Sequence, residues 1–159
     1  MNFDLISTTV EHKDVIKNLM QFYIYDFSEF LKWDVGPDGL FQEHPDLENY
    51  WMEDDHRFTY LIKRDQKCAG FALVRFIEKP ERSYFSIAEF FILKKYRREG
   101  VGKAVAREIF DRHKGQWEVF QVNSNKPAQL FWTNVIDEYT HGRFTDRFEN
   151  GRRIQNFEN

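Results

Sequence analysis

The chain has 159 residues, of which 42% are hydrophobic and 18% aromatic, and this is enough apolar material for one sizeable core. We therefore expect a single domain over residues 1–159. The formal net charge of −3 argues against a protein whose main task is to hold a polyanion, because nucleic-acid-binding domains carry a clear basic excess.

The first part of the chain predicts a strand, a helix and an irregular segment. A strand fits residues 3–9 and overlaps the helix start signal Thr9-Val10-Glu11. The pattern loosens from Asp26 to Asp55, where turn chemistry at residues 36–39 and 44–46 leaves room for short helical pieces. The amphipathic helix is predicted from apolar side chains at helical spacing, namely Val15, Ile16, Leu19, Met20, Tyr23 and Ile24.

The segment after this helix is acidic and aromatic at once. It contains ten carboxylic acids and one lysine, Lys32. The acids are Asp26, Glu29, Asp34, Asp38, Glu43, Asp46, Glu48, Glu53, Asp54 and Asp55. The aromatic side chains in the same part of the chain are Tyr25, Phe27, Phe30, Trp33, Phe41, Tyr50 and Trp51.

The rest of the chain predicts strands first and then a strand, helix and strand unit. Strands fit residues 58–63, 68–76 and 84–93, and the short turns between them make these strands antiparallel. A helix follows from Val101 to Phe110, with Gly115 as its expected end. The last predicted elements are a strand over residues 117–122, a helix over 127–136 and a strand pair over 140–146 and 152–157.

Cysteine, histidine and hydropathy patterns give no sign of a disulfide, a metal or a membrane. Cys68 is the single cysteine and lies in an apolar run, so we expect a buried thiol. The five histidines are scattered without metal-ligand spacing, so we expect no metal. The N-terminus has no basic stretch followed by an apolar one, and no segment approaches the length of a membrane span. We therefore expect a cytoplasmic protein with no membrane partner.

The run from Tyr96 to Ala104, YRREGVGKA, lies where a predicted strand passes into a helix. A helix N-terminus presents unpaired N–H groups and binds phosphate where the backbone can come close, which Gly100 and Gly102 would allow. Arg97, Arg98 and Lys103 would add positive charge, with Lys94 and Lys95 at the rim. The alternative is a glycine-eased turn with a solvated basic face.

The spacing Arg97-x-x-Gly100-x-Gly102, preceded by an apolar strand and Tyr96, resembles the acyl-CoA-binding motif of the GNAT superfamily of N-acetyltransferases. Asn125, Ala128 and Phe131 are similar to a later segment of that family. The order of the predicted elements resembles a GNAT domain as well, so the likeness covers essentially the whole chain.

The resemblance implies an α/β fold of the α+β type, with helices flanking a mixed, mostly antiparallel sheet. The sheet would splay between the strands that end at Leu93 and Val122. The acetyl donor would be acetyl-CoA, with no metal, and its pantetheine arm would borrow backbone hydrogen bonds near Ile92 and Leu93. Its pyrophosphate would rest on the N–H groups of residues 98–103. The implied cofactor site is Ile92, Leu93, Arg97, Arg98, Glu99, Gly100, Val101, Gly102, Lys103, Asn125 and Trp132.

The implied reaction is direct attack of a primary amine on the acetyl thioester. A lysine-like amine has a pKa of about 10.4, so it must lose a proton before it attacks. Glu89 on the central strand is the first candidate for the general base, with Asp26 and Glu29 as alternatives. Strand alternation places Glu89 on one face with Phe91 and Leu93, unless a bulge resets the pattern. A surface or salt-bridged carboxylate is the plain alternative.

Trp132 stands where many relatives have a tyrosine that can protonate the leaving thiolate. An indole donates a hydrogen bond but is not a proton source near neutral pH. General acid catalysis from this position is therefore not expected, although a thiolate with a pKa of about 8.5 is a tolerable leaving group. Tyr139 is an alternative source of the proton if the fold brings it near.

The acidic, aromatic segment lies where the resemblance implies the acceptor-binding wall. Carboxylates such as Asp26 and Glu29 would attract a cationic amine, and aromatic faces would favour its charged head or apolar stem. The alternative is a solvated acidic surface. The expected partner is a small-molecule or peptide amine, with a homodimer as an open alternative to a monomer.

Two further function classes stay open at this point. One is a GNAT-like module that binds acyl-CoA or another ligand without catalysis. The other is a nucleic-acid role, suggested only by a C-terminal group of arginines, and we expect no nucleic-acid partner because the chain as a whole is acidic. The arginines concerned are Arg143, Arg147, Arg152 and Arg153.

Overall fold

A computed structural model describes residues 2–52 and 55–159. The acids Glu53 and Asp54 lie outside the described residues. The described strands are β1 (Asp4–Ser7), β2 (Arg57–Arg64), β3 (Lys67–Glu78), β4 (Ser83–Ile92), β5 (Gln116–Val122), β6 (Thr145–Glu149) and β7 (Arg152–Glu158). The helices are α1 (Lys13–Leu31), α2 (Asn49–Met52), α3 (Val101–Arg112) and α4 (Lys126–Thr140), with 3₁₀ turns at Val10–His12 and Lys94–Tyr96.

Within the described residues, the strands form one sheet in the order β1-β2-β3-β4-β5-β7-β6. Every neighbouring pair is antiparallel except β4 and β5, which are parallel. The chain therefore has the mixed, mostly antiparallel sheet that the sequence predicts. Helix α1 covers one face of the sheet through Ile16, Leu19, Met20 and Ile24, whereas α3 and α4 cover the other face.

The sheet opens between β4 and β5. These two strands share one register pair, Phe85 and Trp117. On its other edge, β5 pairs with β7 over its whole length. The predicted splay is therefore present. It leaves the β5-facing edge of β4, from residue 86 onward, without a paired strand among the described residues.

Helix α1 is longer than the sequence pattern indicates. It continues through Asp26 and Glu29 to Leu31 and ends at Lys32, which has a left-handed φ of 57°. Ring contacts one turn apart support the extra length, with Tyr23 and Phe27 centroids 5.6 Å apart. The irregular segment begins at Lys32, because the aromatic residues that blur the apolar pattern are themselves packed along the helix.

A β-bulge lies in β4 at the centre of the sheet. Leu73 of β3 pairs with Glu89, whereas the next residue, Val74, pairs with Ile87, so Ala88 is an extra residue. Ala88 packs against the α1 side of the sheet and Phe90 against the α3 and α4 side. Glu89 consequently shares the α1 face with both Ala88 and Phe91.

The predicted strand over residues 140–146 is wrong. Helix α4 runs to Thr140, whose hydroxyl donates to the carbonyl of Ile136, and the strand begins only at Thr145. Strands β6 and β7 meet at a two-residue Asn150-Gly151 turn in which both residues have positive φ, 50° and 75°. Asn-Gly is the sequence that such a hairpin turn favours, so this dipeptide predicts the register between β6 and β7.

Two smaller predictions also differ from the structure. Helix α3 ends at Arg112 with His113 as its C-cap, so Gly115 lies beyond the end of the helix. Cys68 is half-buried rather than fully buried and makes no disulfide.

Gly70 allows β3 to approach β4 beside the bulge, and this generates a stability prediction. A Cβ at Gly70 would lie 2.0 Å from the carbonyl oxygen of Phe91, a backbone atom that cannot move without displacing β4. We expect Gly70→Ala to lower the free energy of unfolding by about 3 kcal/mol, measured by urea denaturation.

The matched control for Gly70→Ala is Gly151→Ala. A Cβ at Gly151 meets nothing within 4 Å, so its cost comes from the positive φ of 75° alone and should be about 1 kcal/mol. Equal losses for the two variants would contradict the close approach of β3 to β4.

Candidate functional site

A cleft of about 670 Å³ opens where β4 and β5 part. Helix α1 and the irregular segment after it form one wall, and β5 with α4 forms the other. The lining residues include Tyr23, Phe27, Trp33, Phe41, His44, Glu89, Phe90, Phe120, Asn125 and Trp132. The cleft therefore joins the acidic, aromatic segment to the open edge of β4, two regions that are far apart in the sequence.

Glu89 lies in this cleft with its side chain 20% exposed. Its Oε1 is 3.3 Å from Nε2 of His44, and the carboxylate also interacts electrostatically with the hydroxyl of Tyr23. Burial, with a further contribution from the Glu89 carboxylate, raises the pKa of Tyr23 well above its usual range. The phenol therefore stays protonated.

The tautomer of His44 follows from its second contact. The backbone N–H of Asp46 donates to Nδ1 of His44 over 3.2 Å, so Nδ1 is the acceptor nitrogen and the proton of a neutral ring lies on Nε2. That proton points at Glu89. His44 thus holds the carboxylate by a hydrogen bond.

Neither Tyr23 nor His44 is evident as a site residue from the sequence. Tyr23 occupies one of the regular apolar positions of α1, and His44 lies in a turn next to a proline. Only the packing of α1 and the irregular segment against β4 brings both side chains to Glu89.

The backbone of β4 shows which amides face the open gap. The N–H of Leu93 donates to the carbonyl of Ala69 over 2.8 Å, on the β3 side. Backbone groups point alternately to the two sides of a strand, so the N–H groups of Ile92 and Phe90 face the gap toward β5. Of the two predicted backbone donors, the Leu93 amide is thus engaged within the sheet, while the Ile92 amide faces the gap.

Arg97 is turned inward. Its Nε donates to the carbonyl of Ile92 over 2.7 Å, and its guanidinium forms an ion pair with Asp26 of α1. Lys94 adds a second cation 3.6 Å from the same carboxylate. Arg97 therefore ties the motif to α1, and Asp26 is occupied by this contact. Glu29 is exposed on α1 and outside the lining of the cleft.

The start of α3 has the geometry of an anion site. Gly100 is the N-cap with a φ of 80°, and the first helical hydrogen bond runs from the N–H of Ala104 to the carbonyl of Gly100. The N–H groups of Val101, Gly102 and Lys103 precede that bond and have no helical acceptor. The positive end of the helix dipole adds to their attraction for an anion.

The other members of the motif have distinct surroundings. Arg98 is exposed, with a positive φ of 62° and no ion pair within residues 2–52 and 55–159. Glu99 pairs with Arg64, and Lys103 pairs with Glu138 over 2.6 Å. A Cβ on Gly102 would lie 3.3 Å from the ring of Phe131, so this glycine serves the close contact between α3 and α4.

Asn125 and Trp132 both line the cleft from α4. The Oδ1 of Asn125 accepts the N–H of Ala128 over 3.1 Å and so caps the helix. Trp132 is 6% exposed and makes an edge contact with Phe90, with centroids 4.9 Å apart. Tyr139 lies outside the lining, and its hydroxyl donates to Asp111 over 2.8 Å, so it is not the substitute acid.

The described part of the chain has neither a helix that could span a membrane nor a cluster of metal-binding side chains. The helices there are too short or too polar to span a bilayer. Over the same residues, no three His, Cys, Asp or Glu side chains come together in a group that could hold a metal ion.

The family is established by comparison with known proteins. A model described as the acetyltransferase (GNAT) family matches residues 20–135, well over half of the chain. The chain therefore belongs to the GNAT family of acetyltransferases, and the resemblance drawn from the motif is confirmed. No curated protein gives a significant sequence match.

Solved structures agree on the fold. An acetyltransferase from Thermus thermophilus has a TM-score of 0.66 at 15% identity, with 100% of this chain and 98% of that one covered. PaiA N-acetyltransferase from Thermoplasma acidophilum, solved with coenzyme A, gives 0.66 at 10% identity, with both chains fully covered. NAA60 from Arabidopsis thaliana, solved with a bisubstrate analogue, gives 0.62 at 10%, covering 99% and 98%. At such low sequence identities, these structural likenesses confirm the predicted fold class and nothing beyond it.

The contact between Asp26 and Arg97 generates a prediction about the motif. We expect Asp26→Asn to lower the free energy of unfolding by about 1 kcal/mol, because the ion pair is only half-buried and partly screened. Asp26→Asn combined with Arg97→Gln should cost less than the sum of the single changes in urea denaturation, as expected for interacting side chains. Glu29→Gln, an exposed position on the same helix, is the control and should stay within about 0.5 kcal/mol. Additive losses would show that the two residues do not interact.

Proposed function

We propose that the chain transfers an acetyl group from acetyl-CoA to the nitrogen of a primary amine, with Glu89 accepting the proton of that amine. The observation that carries the proposal is the position of the Glu89 carboxylate, in a cleft beside the open backbone edge of β4. The carboxylate and the gap-facing N–H groups are neighbours along one strand. A proton acceptor and hydrogen-bond donors for a carbonyl oxygen are therefore adjacent.

The residues present fit acetyl-CoA. The gap beside β4 offers the Ile92 amide to an extended pantetheine arm, and the start of α3 offers three N–H groups to a pyrophosphate. Arg98 adds an exposed positive charge, and Gly100 has no side chain that would keep a pyrophosphate away from these N–H groups. When bound, acetyl-CoA supplies an activated acetyl carbonyl and a thiolate leaving group.

Glu89 would act on the incoming amine. A primary amine with a pKa of about 10.4 arrives largely protonated at neutral pH, and its charge favours the carboxylate. His44 would hold that carboxylate by donating to it, with Tyr23 close by, and the carboxylate oxygen that faces the cleft would accept the proton. The gap-facing N–H group of Phe90 would stabilise negative charge on the acetyl oxygen. Trp132 would pack against the site without supplying a proton.

A module that binds acyl-CoA without catalysis is the second candidate, and Trp132 favours it. An indole lines the cleft where a proton source would help the thiolate to leave. Such a module would keep the open gap and the start of α3 while releasing no thiol. Binding and turnover therefore have to be measured separately.

Replacement of the proposed base tests the enzyme assignment. We expect Glu89→Gln to lower the rate of thiol release with an amine acceptor by about 10²- to 10³-fold, because a general base contributes on that scale. Acetyl-CoA affinity, measured by calorimetry, should be unchanged because Glu89 lies outside the start of α3. Glu29→Gln is the control and should retain full turnover. Equal rates for Glu89→Gln and the unchanged protein would remove Glu89 from the mechanism.

Thermal unfolding with and without acetyl-CoA tests the anion site. Ligand at about 100 times its dissociation constant should stabilise the folded chain by roughly 2.7 kcal/mol. We expect Gly100→Val to abolish this shift, because a branched side chain would stand over the N–H groups of α3. Since a positive φ makes valine unfavourable there, Arg98→Glu is a second variant, which should weaken binding without changing the fold. A full shift in both variants would place the pyrophosphate elsewhere.

A further inference from the structure

A ladder of aromatic rings leads from Glu89 to the surface along one wall of the cleft. Tyr23, which interacts with Glu89, has its ring centroid 5.6 Å from that of Phe27, and Phe27 is 5.8 Å from Trp33. All three line the cleft. Trp33 is 48% exposed, so a large apolar surface lies open at the mouth. Exposed aromatic surface that continues into a cleft is typical of a ligand-binding wall.

The opposite wall is aromatic as well. Phe90, Phe120 and Trp132 line it from β4, β5 and α4. Phe120 is 36% exposed, whereas Trp132 is 6% exposed, so this wall also runs from the interior to solvent. A ligand stem lying between the two walls would contact rings on both sides.

Four of the eight described acids of the acidic, aromatic segment are paired with lysine or arginine side chains. Asp26 pairs with Arg97, Glu43 with Lys17 over 2.9 Å, Asp46 with Arg57, and Glu48 with Lys13. Much of the negative charge of this segment is therefore engaged in ion pairs within the fold. The expectation that Asp26 and Glu29 attract the acceptor does not fit these positions.

In the part of the chain that the structure describes, few charged side chains line the cleft. Three carboxylates contribute to it, Asp34, Glu43 and Glu89, and Glu43 is the one paired with Lys17. Asp34 lies at the exposed mouth, near Lys32, which also lines the cleft and carries the opposite charge. Glu89 is thus the carboxylate at the inner end, and it lies next to the aromatic ladder.

We propose that the acceptor is a small primary amine with one positive charge on an aromatic or bulky apolar stem. This inference rests on the function proposed above. The ammonium group would lie at Glu89, and the stem would pack between Phe27 and Trp33 on one wall and Phe120 on the other. Ring contacts of this kind favour an aryl or alicyclic group.

The same walls disfavour two other kinds of amine. A polyamine carries a further positive charge for every few methylene groups, and beyond Glu89 and the paired Glu43 the cleft lining offers those charges one carboxylate, Asp34, with Lys32 close to it in the chain. A peptide carries backbone amides that need polar partners along its length, which aromatic walls do not supply. A single amine on an apolar stem leaves no polar group unpaired.

The experiment measures acetyl transfer and acceptor binding separately on the whole chain. Thiol release from acetyl-CoA is followed with phenethylamine, tryptamine, propylamine, putrescine, spermidine and a lysine-containing tripeptide. We expect kcat/KM for phenethylamine and tryptamine to exceed that for putrescine, spermidine and the peptide by about 100-fold, as expected when an apolar pocket selects its ligand. Calorimetric titration of phenethylamine, in the presence of coenzyme A, reports binding independently of turnover.

Trp33→Ala tests the ring contact at the outer end of the aromatic ladder. We expect it to raise KM and Kd for phenethylamine about tenfold with little change in kcat, because the lost contact is with the stem and not with the reacting nitrogen. Propylamine, whose stem is too short to reach Trp33, should be unaffected. Phe22→Ala is the control, since Phe22 is 58% exposed on the same wall helix and does not line the cleft.

The outcomes separate this inference from the function on which it rests. Preferred acetylation of spermidine or of the peptide, with no effect of Trp33→Ala, would overturn the substrate class and leave the transferase intact. If no amine is turned over, the transferase proposal fails. The calorimetric titration then still tests the inference. Tight phenethylamine binding that Trp33→Ala weakens would support it, and absence of binding would overturn it.

Discussion

The parting of β4 and β5 is the constraint on which the rest of the structure depends. One pair, Phe85 and Trp117, joins the two strands, and past it their backbones have no common hydrogen bonds. Behind the gap, Phe90 packs against Phe131 and Trp132 of α4, with centroids 5.8 and 4.9 Å apart. Amides at an open edge inside a cleft favour a ligand that can accept their hydrogen bonds.

The bulge at Ala88 complements this opening. In a strand without the extra residue, strict alternation would put Ile87, Glu89 and Phe91 on one face of the sheet. With it, Ile87 and Phe90 face the α3 and α4 side while Ala88, Glu89 and Phe91 face α1. The carboxylate is thereby placed on the same side as Tyr23 and His44. One inserted residue thus sets which wall of the cleft carries the Glu89 carboxylate.

Much of the fold could be predicted from the sequence, because it depends on local patterns. Strands β2 to β5 and helices α3 and α4 follow from apolar periodicity, and the start of α3 follows from Gly100 and its basic neighbours. The end of α1 and the position of β6 were missed, since aromatic and β-branched residues there fit more than one pattern.

The site was harder to predict than the fold because its contacts join distant segments. The inward turn of Arg97 depends on Asp26, which is 71 residues away in the chain. Likewise, the hydrogen bond between His44 and Glu89 spans 45 residues, and the contact of Gly102 with Phe131 requires α3 to lie against α4. Residue type and spacing locate Glu89 on its strand, but they contain no information about which side chains approach it from other elements.

Helix α1 connects the two halves of the site mechanically. Tyr23 and Asp26 are three residues apart and so lie on one face of the helix, the first on Glu89 and the second on Arg97. A displacement of α1 that strains one of these contacts also strains the other. If a ligand in the cleft shifted α1 and thereby changed the affinity of the loop before α3 for an anion, the anion would change the affinity of the cleft for that ligand by the same factor.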